Sequence, residues 1–147
     1  MSKDVKDMNF TPYETFEHGA DIGVRGYGRT MEEAFANGAR ALFSLMVENF
    51  EAIEPKEEIP VSVSAELPDE LFVAWLNRLI TLSALEHRVF SDFEIKINGK
   101  NLQGVARGEA LDTEKHLLGT EVKGATFTLA KVEKEGDLWV AQCVVDV

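Results

Sequence analysis

The chain has a single cysteine, Cys143, among its 147 residues. One cysteine excludes an internal disulfide and is typical of a protein kept in a reducing compartment. Cys143 lies in an apolar strand pattern, so we expect it to be buried rather than to act as a nucleophile. No apolar run approaches the roughly 18 residues of a membrane span. Residues 1–9 resemble neither a signal peptide nor a transit peptide. These absences predict a soluble, cytoplasmic protein.

Basic residues are also scarce. The chain has 15 lysines and arginines against 26 aspartates and glutamates, a net charge of −11. Such a surface repels nucleic acid and anionic membranes. Aromatic residues interleaved with basic ones, which a single-strand RNA surface needs, are missing as well. We therefore expect no direct nucleic-acid binding and no membrane binding, and any role near RNA would involve a protein partner.

The common catalytic motifs are absent. The sequence contains no phosphate-binding Gly-x-x-x-x-Gly-Lys loop, no Gly-x-Ser-x-Gly, no His-Glu-x-x-His and no cysteine pair. Its three histidines, His18, His87 and His116, are far apart in the sequence. Residues 108–119 combine several carboxylates with His116, which suggests either a metal site or a polar surface loop. Their spacing matches no structural zinc pattern, so we favour the surface loop.

The pattern of helices and strands predicts an α+β fold, in which a mostly antiparallel sheet packs with two long helices. We expect a single compact domain over residues 1–147, of which residues 1–11 form a flexible leader. Thr30 and Glu33 have the spacing of a capping box and start a helix that ends near Asn49. Pro68 starts a second helix, which is apolar on most sides around Trp75. An acidic loop is expected over residues 51–58. About seven strands are predicted, at residues 13–17, 22–28, 61–65, 89–97, 102–108, 122–132 and 138–147, with turns at 98–99 and 135–137.

Two acidic residues at opposite ends of the chain are candidate ligands. Asp21 lies at the mouth of a glycine-rich strand, where an isolated aspartate can be a cap, a turn residue or a ligand. Asp146 precedes Val147, with which the sequence stops inside an apolar strand. If the two strands are neighbours, Asp21, Asp146 and the terminal carboxylate of Val147 supply three hard oxygen donors, suited to Ca²⁺, Mg²⁺ or Mn²⁺. The alternative is that these are ordinary surface acids.

Several short blocks, in order along residues 16–147, together resemble the archease family. They are His18-Gly19-Ala20-Asp21-Ile22-Gly23, Thr30-Met31-Glu32-Glu33-Ala34-Phe35, Trp75-Leu76-Asn77-Arg78-Leu79, Gly108-Glu109, Lys115-His116, Glu121-Val122-Lys123 and Val145-Asp146-Val147. The resemblance implies a compact α+β domain. It also implies a non-enzymatic protein cofactor of the GTP-dependent tRNA-splicing RNA ligase, one that promotes guanylylation of the ligase and its multiple turnover.

The resemblance also implies site residues. The family's metal ligands fall on Asp21, Asp146 and Val147, and His18 and Lys123 are weaker candidates for contact with the ligase. Two departures stand out: the family has threonine where this chain has Gly19, and it has tyrosine and histidine in the segment corresponding to residues 123–128. Two other functions stay open, a metal-dependent phosphoester hydrolase and a metal-free binding or chaperone-like module.

Overall fold

The structure is a computed structural model that describes residues 10–147. Most of the predicted leader, residues 1–11, lies outside the described residues. The two helices and eight strands that follow are, in chain order, β1 (Tyr13–His18), β2 (Asp21–Gly28), α1 (Met31–Met46), β3 (Glu57–Ser64), α2 (Pro68–Glu86), β4 (Arg88–Asn98), β5 (Asn101–Ala110), β6 (Gly124–Ala125), β7 (Lys131–Glu135) and β8 (Leu138–Asp146).

The strands form two antiparallel sheets. The larger has the order β1-β2-β8, and both β6 and β7 pair with the other edge of β8. The smaller has the order β3-β5-β4. Both helices contact strands of both sheets and therefore lie between them. This arrangement confirms the predicted α+β fold with a mostly antiparallel sheet.

The helices begin where the sequence predicts. The Thr30 hydroxyl accepts the Glu33 N–H at 3.1 Å, and the Glu33 carboxylate accepts the Arg29 N–H at 2.7 Å. α2 begins at Pro68, whose missing N–H costs nothing in a first turn. Trp75 is fully buried, and its indole N–H donates to the Phe35 carbonyl of α1 at 3.1 Å. No helix of the described part is long and apolar enough to cross a membrane.

Three predicted segments differ in the structure. The predicted acidic loop is shorter, because a 3₁₀ turn forms at Phe50–Ala52 and β3 already begins at Glu57. The predicted strand 122–132 is wrong. It is divided into β6 and β7 because Leu129 takes the left-handed conformation, with φ +53°, and the Thr126 hydroxyl donates to the Val144 carbonyl at 2.7 Å.

The third difference is the predicted surface loop at residues 108–119. β5 continues to Ala110, and Glu109 and His116 are buried, with exposed fractions of 6% and 1%. Burial of two polar side chains is tolerated because they hydrogen-bond to each other at 2.9 Å. Cys143 is fully buried as predicted, and burial raises the pKa of its thiol to about 12.

Candidate functional site

The pairing of β2 with β8 places Asp21 beside the last two residues of the described chain. Their ladder runs to the pair Ile22–Val145. Asp21 and Asp146 are the next residues of the two strands, one position beyond that pair. The Val147 N–H donates to Asp21 Oδ1 at 3.3 Å. We call Asp21, Asp146 and Val147 the tip.

The tip is exposed to approaching molecules. Asp146 is exposed, whereas Asp21 and Val147 are half-buried. Residues opposite each other in an antiparallel pair project to the same face, and like charges placed this way repel. In residues 10–147 no basic side chain forms an ion pair with either aspartate. Because neither carboxylate is held in an ion pair, both are available to a ligand.

The turn between β1 and β2 determines where Asp21 lies. His18 pairs with Asp21 across a two-residue turn, in which only Gly19 has a positive φ, +59°. Glycine at the first central position is the mark of a type II′ hairpin turn. Threonine, which the family pattern has here, would be strained at this φ. The departure at Gly19 therefore fits the turn geometry of this chain.

A substitution at Gly19 tests this geometry. A Cβ added at Gly19 would have no heavy atom within 4 Å, so replacing it by alanine introduces no clash. We expect Gly19→Ala to lower the free energy of unfolding by about 1 kcal/mol through the left-handed backbone alone. Gly99→Ala is the matched control, because Gly99 has φ +65° and equally open surroundings. Urea unfolding should give similar losses for both, and an unchanged stability for Gly19→Ala would contradict the turn described.

The other two candidate residues lie at the same end of the sheet. His18 is exposed and pairs with Asp21 in the β1–β2 ladder. Lys123 is exposed as well, and its N–H donates to the Asp146 carbonyl at 2.8 Å. The structure thus brings together all five residues that the sequence singled out.

Two exposed apolar side chains near the tip were missed by the sequence analysis. Phe127 and Leu129 are 64% and 50% exposed, and both belong to the segment predicted as a strand over residues 122–132. The backbone beneath them is held in place: Val144 N–H donates to the Thr128 carbonyl at 3.0 Å, and Gln142 Nε2 donates to the Leu129 carbonyl at 3.0 Å. This segment therefore presents apolar surface beside residues 142–144 of β8, which precede Asp146 in the same strand.

A second polar cluster lies on the other sheet. The Glu109 carboxylate accepts hydrogen bonds from the Lys115 ammonium, the Glu54 N–H and His116 Nε2. Burial alone would raise the pKa of Glu109, but these hydrogen bonds outweigh it and lower the pKa to about 2. The Asp112 N–H donates to His116 Nδ1 at 3.0 Å. Because Nδ1 accepts and Nε2 donates, the neutral imidazole has no free lone pair for use as a base.

Neither cluster is a complete metal site made of side chains. No three His, Cys, Asp or Glu side chains within residues 10–147 are placed to hold a metal ion. A cation at the tip would therefore need backbone oxygen as well as Asp21 and Asp146. The terminal carboxylate of Val147 is the group that the sequence analysis assigned to this role. The donor set, all oxygen, fits a hard cation.

The sequence was also compared with known proteins. A model of the Archease protein family (MTH1598/TM1083) matches residues 13–147. The chain belongs to the archease family. The protein archease of Pyrococcus furiosus is 44% identical over 140 residues, which cover 92% of this chain and 98% of that protein. The protein archease of Sulfurisphaera tokodaii is 39% identical over 137 residues, with the same coverage.

Solved archease-family structures have the same fold. The solution structure of Methanobacterium thermoautotrophicum protein 1598 has a TM-score of 0.81 at 34% identity and covers 92% of this chain and 99% of its own. The crystal structure of an archease from Thermotoga maritima, named a possible chaperone, has a TM-score of 0.58 at 25% identity. It covers 90% of this chain and 94% of its own.

Proposed function

We propose that this archease is a non-enzymatic protein cofactor of the GTP-dependent tRNA-splicing RNA ligase. It promotes guanylylation of the ligase and multiple turnover in the joining of RNA ends, and it does so in the cytoplasm. The observation that carries the proposal is the contact between Asp21 and Val147, in which the Val147 N–H donates to Asp21 Oδ1 at 3.3 Å. It brings together the residues that the family resemblance assigns to one site.

The tip residues suit a divalent cation, Ca²⁺, Mg²⁺ or Mn²⁺. Asp21, Asp146 and the terminal carboxylate of Val147 would hold it. Such a cation, when bound, neutralises negative charge on phosphate oxygens, as nucleotidyl transfer to the ligase requires. Asp21 Oδ1 already accepts the Val147 N–H, which orients this carboxylate before any ligand arrives. The repulsion between Asp21 and Asp146 would be relieved on binding.

The surroundings of the tip support a protein partner. Phe127 and Leu129 offer exposed apolar surface on a fixed backbone, as the centre of a protein interface requires. The net charge of −11 favours a basic, RNA-binding partner over RNA itself. Lys123 and His18, both exposed, are the candidate polar contacts around this surface.

The two alternatives are less well supported. A phosphoester hydrolase at the tip needs a nearby base. His18 pairs with Asp21 and is the candidate, whereas His116 has both ring nitrogens bonded within the Glu109 cluster. A metal-free, chaperone-like module agrees with the name of the Thermotoga maritima relative and with the exposed Phe127 and Leu129. That module would bind partners without any response to divalent cations.

One experiment tests the proposal. Purified ligase, GTP and an RNA with cleaved ends are mixed with and without this chain. One series has the ligase in excess over the RNA, and the other has the RNA in excess over the ligase. We expect the chain to raise both guanylylated ligase and the number of RNAs joined per ligase. A chain that leaves both unchanged would contradict the proposal, whereas hydrolysis of a phosphodiester by the chain alone with Mn²⁺ would favour the hydrolase.

The role of the chain's last carboxylate is tested by extending it. Adding a single glycine after Val147 turns the Val147 carboxylate into a peptide group and moves the terminal negative charge one residue away from Asp21 and Asp146. We expect cation affinity, measured by calorimetry, to fall about tenfold, which corresponds to about 1.4 kcal/mol. The melting temperature should not change, because β8 ends at Asp146. The control is one glycine placed before the N-terminus, and equal affinities of the two variants would remove Val147 from the site.

A further inference from the structure

The side chain of Asn77, in the middle of α2, bonds both backbone groups of one residue of β6. Its Oδ1 accepts the Ala125 N–H at 2.8 Å, and its Nδ2 donates to the Ala125 carbonyl at 3.2 Å. Asn77 is half-buried and completes the hydrogen bonding of a strand. One amide thus does for β6 what a further neighbouring strand would do.

β6 depends on this support. It has only two residues. One of them is Gly124, and glycine destabilises a strand because it loses more conformational entropy on folding than other residues do. Two-residue ladders contribute too little to hold themselves in place in water. β6 also lies at an edge of the larger sheet, bonded to β8 on one side only. Asn77 anchors its other side to a buried helix.

β6 in turn holds Asp146. Gly124 pairs with Asp146, Ala125 pairs with Val145, and the Lys123 N–H donates to the Asp146 carbonyl at 2.8 Å. On the opposite side, the ladder between β2 and β8 already ends at Val145. The backbone of Asp146 is therefore fixed mainly from the β6 side.

We propose that Asn77 is a positioning residue of the tip, which holds β6 against β8 and so fixes the Asp146 carboxylate for a cation and for the partner. This inference rests on the proposed function, because it assumes that the tip binds a cation. Only an amide of this length supplies an acceptor and a donor together. Alanine at position 77 removes both bonds, and glutamine keeps both groups on a longer side chain.

The chain offers a matched control in Asn49. Its Nδ2 donates to the Lys115 carbonyl at 2.9 Å, and its Oδ1 accepts the Leu117 N–H at 2.8 Å. Asn49 is likewise half-buried. Asn49→Ala and Asn77→Ala thus each lose two hydrogen bonds from one side-chain amide to backbone, and should lower the melting temperature by similar amounts. Only Asn77→Ala should affect the tip.

The test measures binding of Ca²⁺ and of Mn²⁺ by calorimetry, together with amide hydrogen exchange without metal. For Asn77→Ala we expect affinity to fall at least tenfold, as for other residues that orient metal ligands. Exchange at the Lys123 and Ala125 amides should speed up. For Asn49→Ala, affinity should stay within twofold of the wild type. Asn77→Gln should fall between Asn77→Ala and the wild type, and it serves as the readout if Asn77→Ala does not fold.

Other outcomes separate the two claims. If the wild type binds cations and Asn77→Ala binds them equally well, the positioning role is wrong and the proposed function stands. Equal losses of cation affinity in Asn77→Ala and Asn49→Ala would also overturn the positioning role, because the effect would then come from a general loss of stability. If the wild type binds neither cation, the metal site of the proposed function fails, and this inference fails with it.

Discussion

Asp21→Asn or Asp146→Asn should lower the affinity for divalent cations about a hundredfold and abolish multiple-turnover stimulation of the ligase. A hundredfold loss corresponds to about 2.8 kcal/mol. Each substitution removes one of three negative groups and keeps the size of the side chain. Asp21→Asn also retains an oxygen that can accept the Val147 N–H, which at present is bonded at 3.3 Å. Any loss of cation affinity would then result from the lost charge and the lost ligand, and not from a disrupted turn.

Stability should change in the opposite direction. Asp21 and Asp146 lie one position beyond the last β2–β8 pair, and like charges opposite each other are destabilising. Without metal, either variant should be more stable than the wild type by about 0.5 kcal/mol. A gain in stability combined with a loss of function is the signature of a binding site. Urea unfolding with and without the cation measures the change in stability.

Two exposed acids serve as controls for general charge. Glu17 lies on β1, near the same end of the sheet, and Asp137 lies in the β7–β8 turn at the other end of β8. Glu17→Gln and Asp137→Asn reduce the net charge as much as the tip variants do. We expect both to keep cation affinity and ligase stimulation within twofold. If Asp21→Asn stimulates the ligase as well as Glu17→Gln does, the tip is not the functional site.

The sequence predicts elements well where neighbouring residues determine them. Thr30 caps α1 through its own hydroxyl, and Pro68 suits the first turn of α2. The predicted turn at 98–99 lies one residue later, because Asn98 still pairs with Asn101 and the central turn residues of the β4–β5 hairpin are Gly99 and Lys100. Each of these signals acts within four residues. The α+β class follows from them, since two helices among hairpin-joined strands have few arrangements.

Prediction fails where a distant residue decides the conformation. Residues 122–132 read as one strand, but the bond from Thr126 to the Val144 carbonyl and the left-handed Leu129 divide them. The role of Asn77 could not be predicted from the sequence, because its partner, Ala125, is 48 positions away. Neither contact has a local signal beyond the presence of a polar residue inside an apolar segment.

The tip itself was predicted from two signals: an aspartate at the mouth of a strand and an acidic, apolar ending. Only the pairing of β2 with β8 puts these two signals into one place, and sequence alone does not give strand order. Coordination of a cation by the tip stays a prediction. The buried Glu109 had no comparable signal, because the donors that allow its burial come from Glu54, Lys115 and His116.

Glu109 should give the largest change in stability of any residue outside the apolar core. Glu109→Leu leaves the His116 Nε2–H and the Glu54 N–H without an acceptor and the Lys115 ammonium without its buried partner. Leaving a buried donor without its acceptor costs about 1–3 kcal/mol. Lys115 is part-exposed and keeps its ion pair with Glu54, so the loss comes mainly from the two unpaired donors, and we expect about 3 kcal/mol in urea unfolding at pH 7. Glu114→Leu, at an exposed position of the same segment, should change stability little.

The same carboxylate predicts a pH dependence. The pKa of Glu109 is about 2 in the folded protein, below its ordinary value of 4.5. A carboxyl whose pKa is lower in the folded state stabilises it fully above the ordinary pKa, and this contribution disappears as the pH falls towards the folded value. The difference in unfolding free energy between the wild type and Glu109→Gln should thus be constant above about pH 5 and shrink between pH 4 and pH 2. A constant difference down to pH 2 would mean that the ionised carboxylate is not what holds Lys115 and His116, and that Glu109 stabilises the sheet by packing alone.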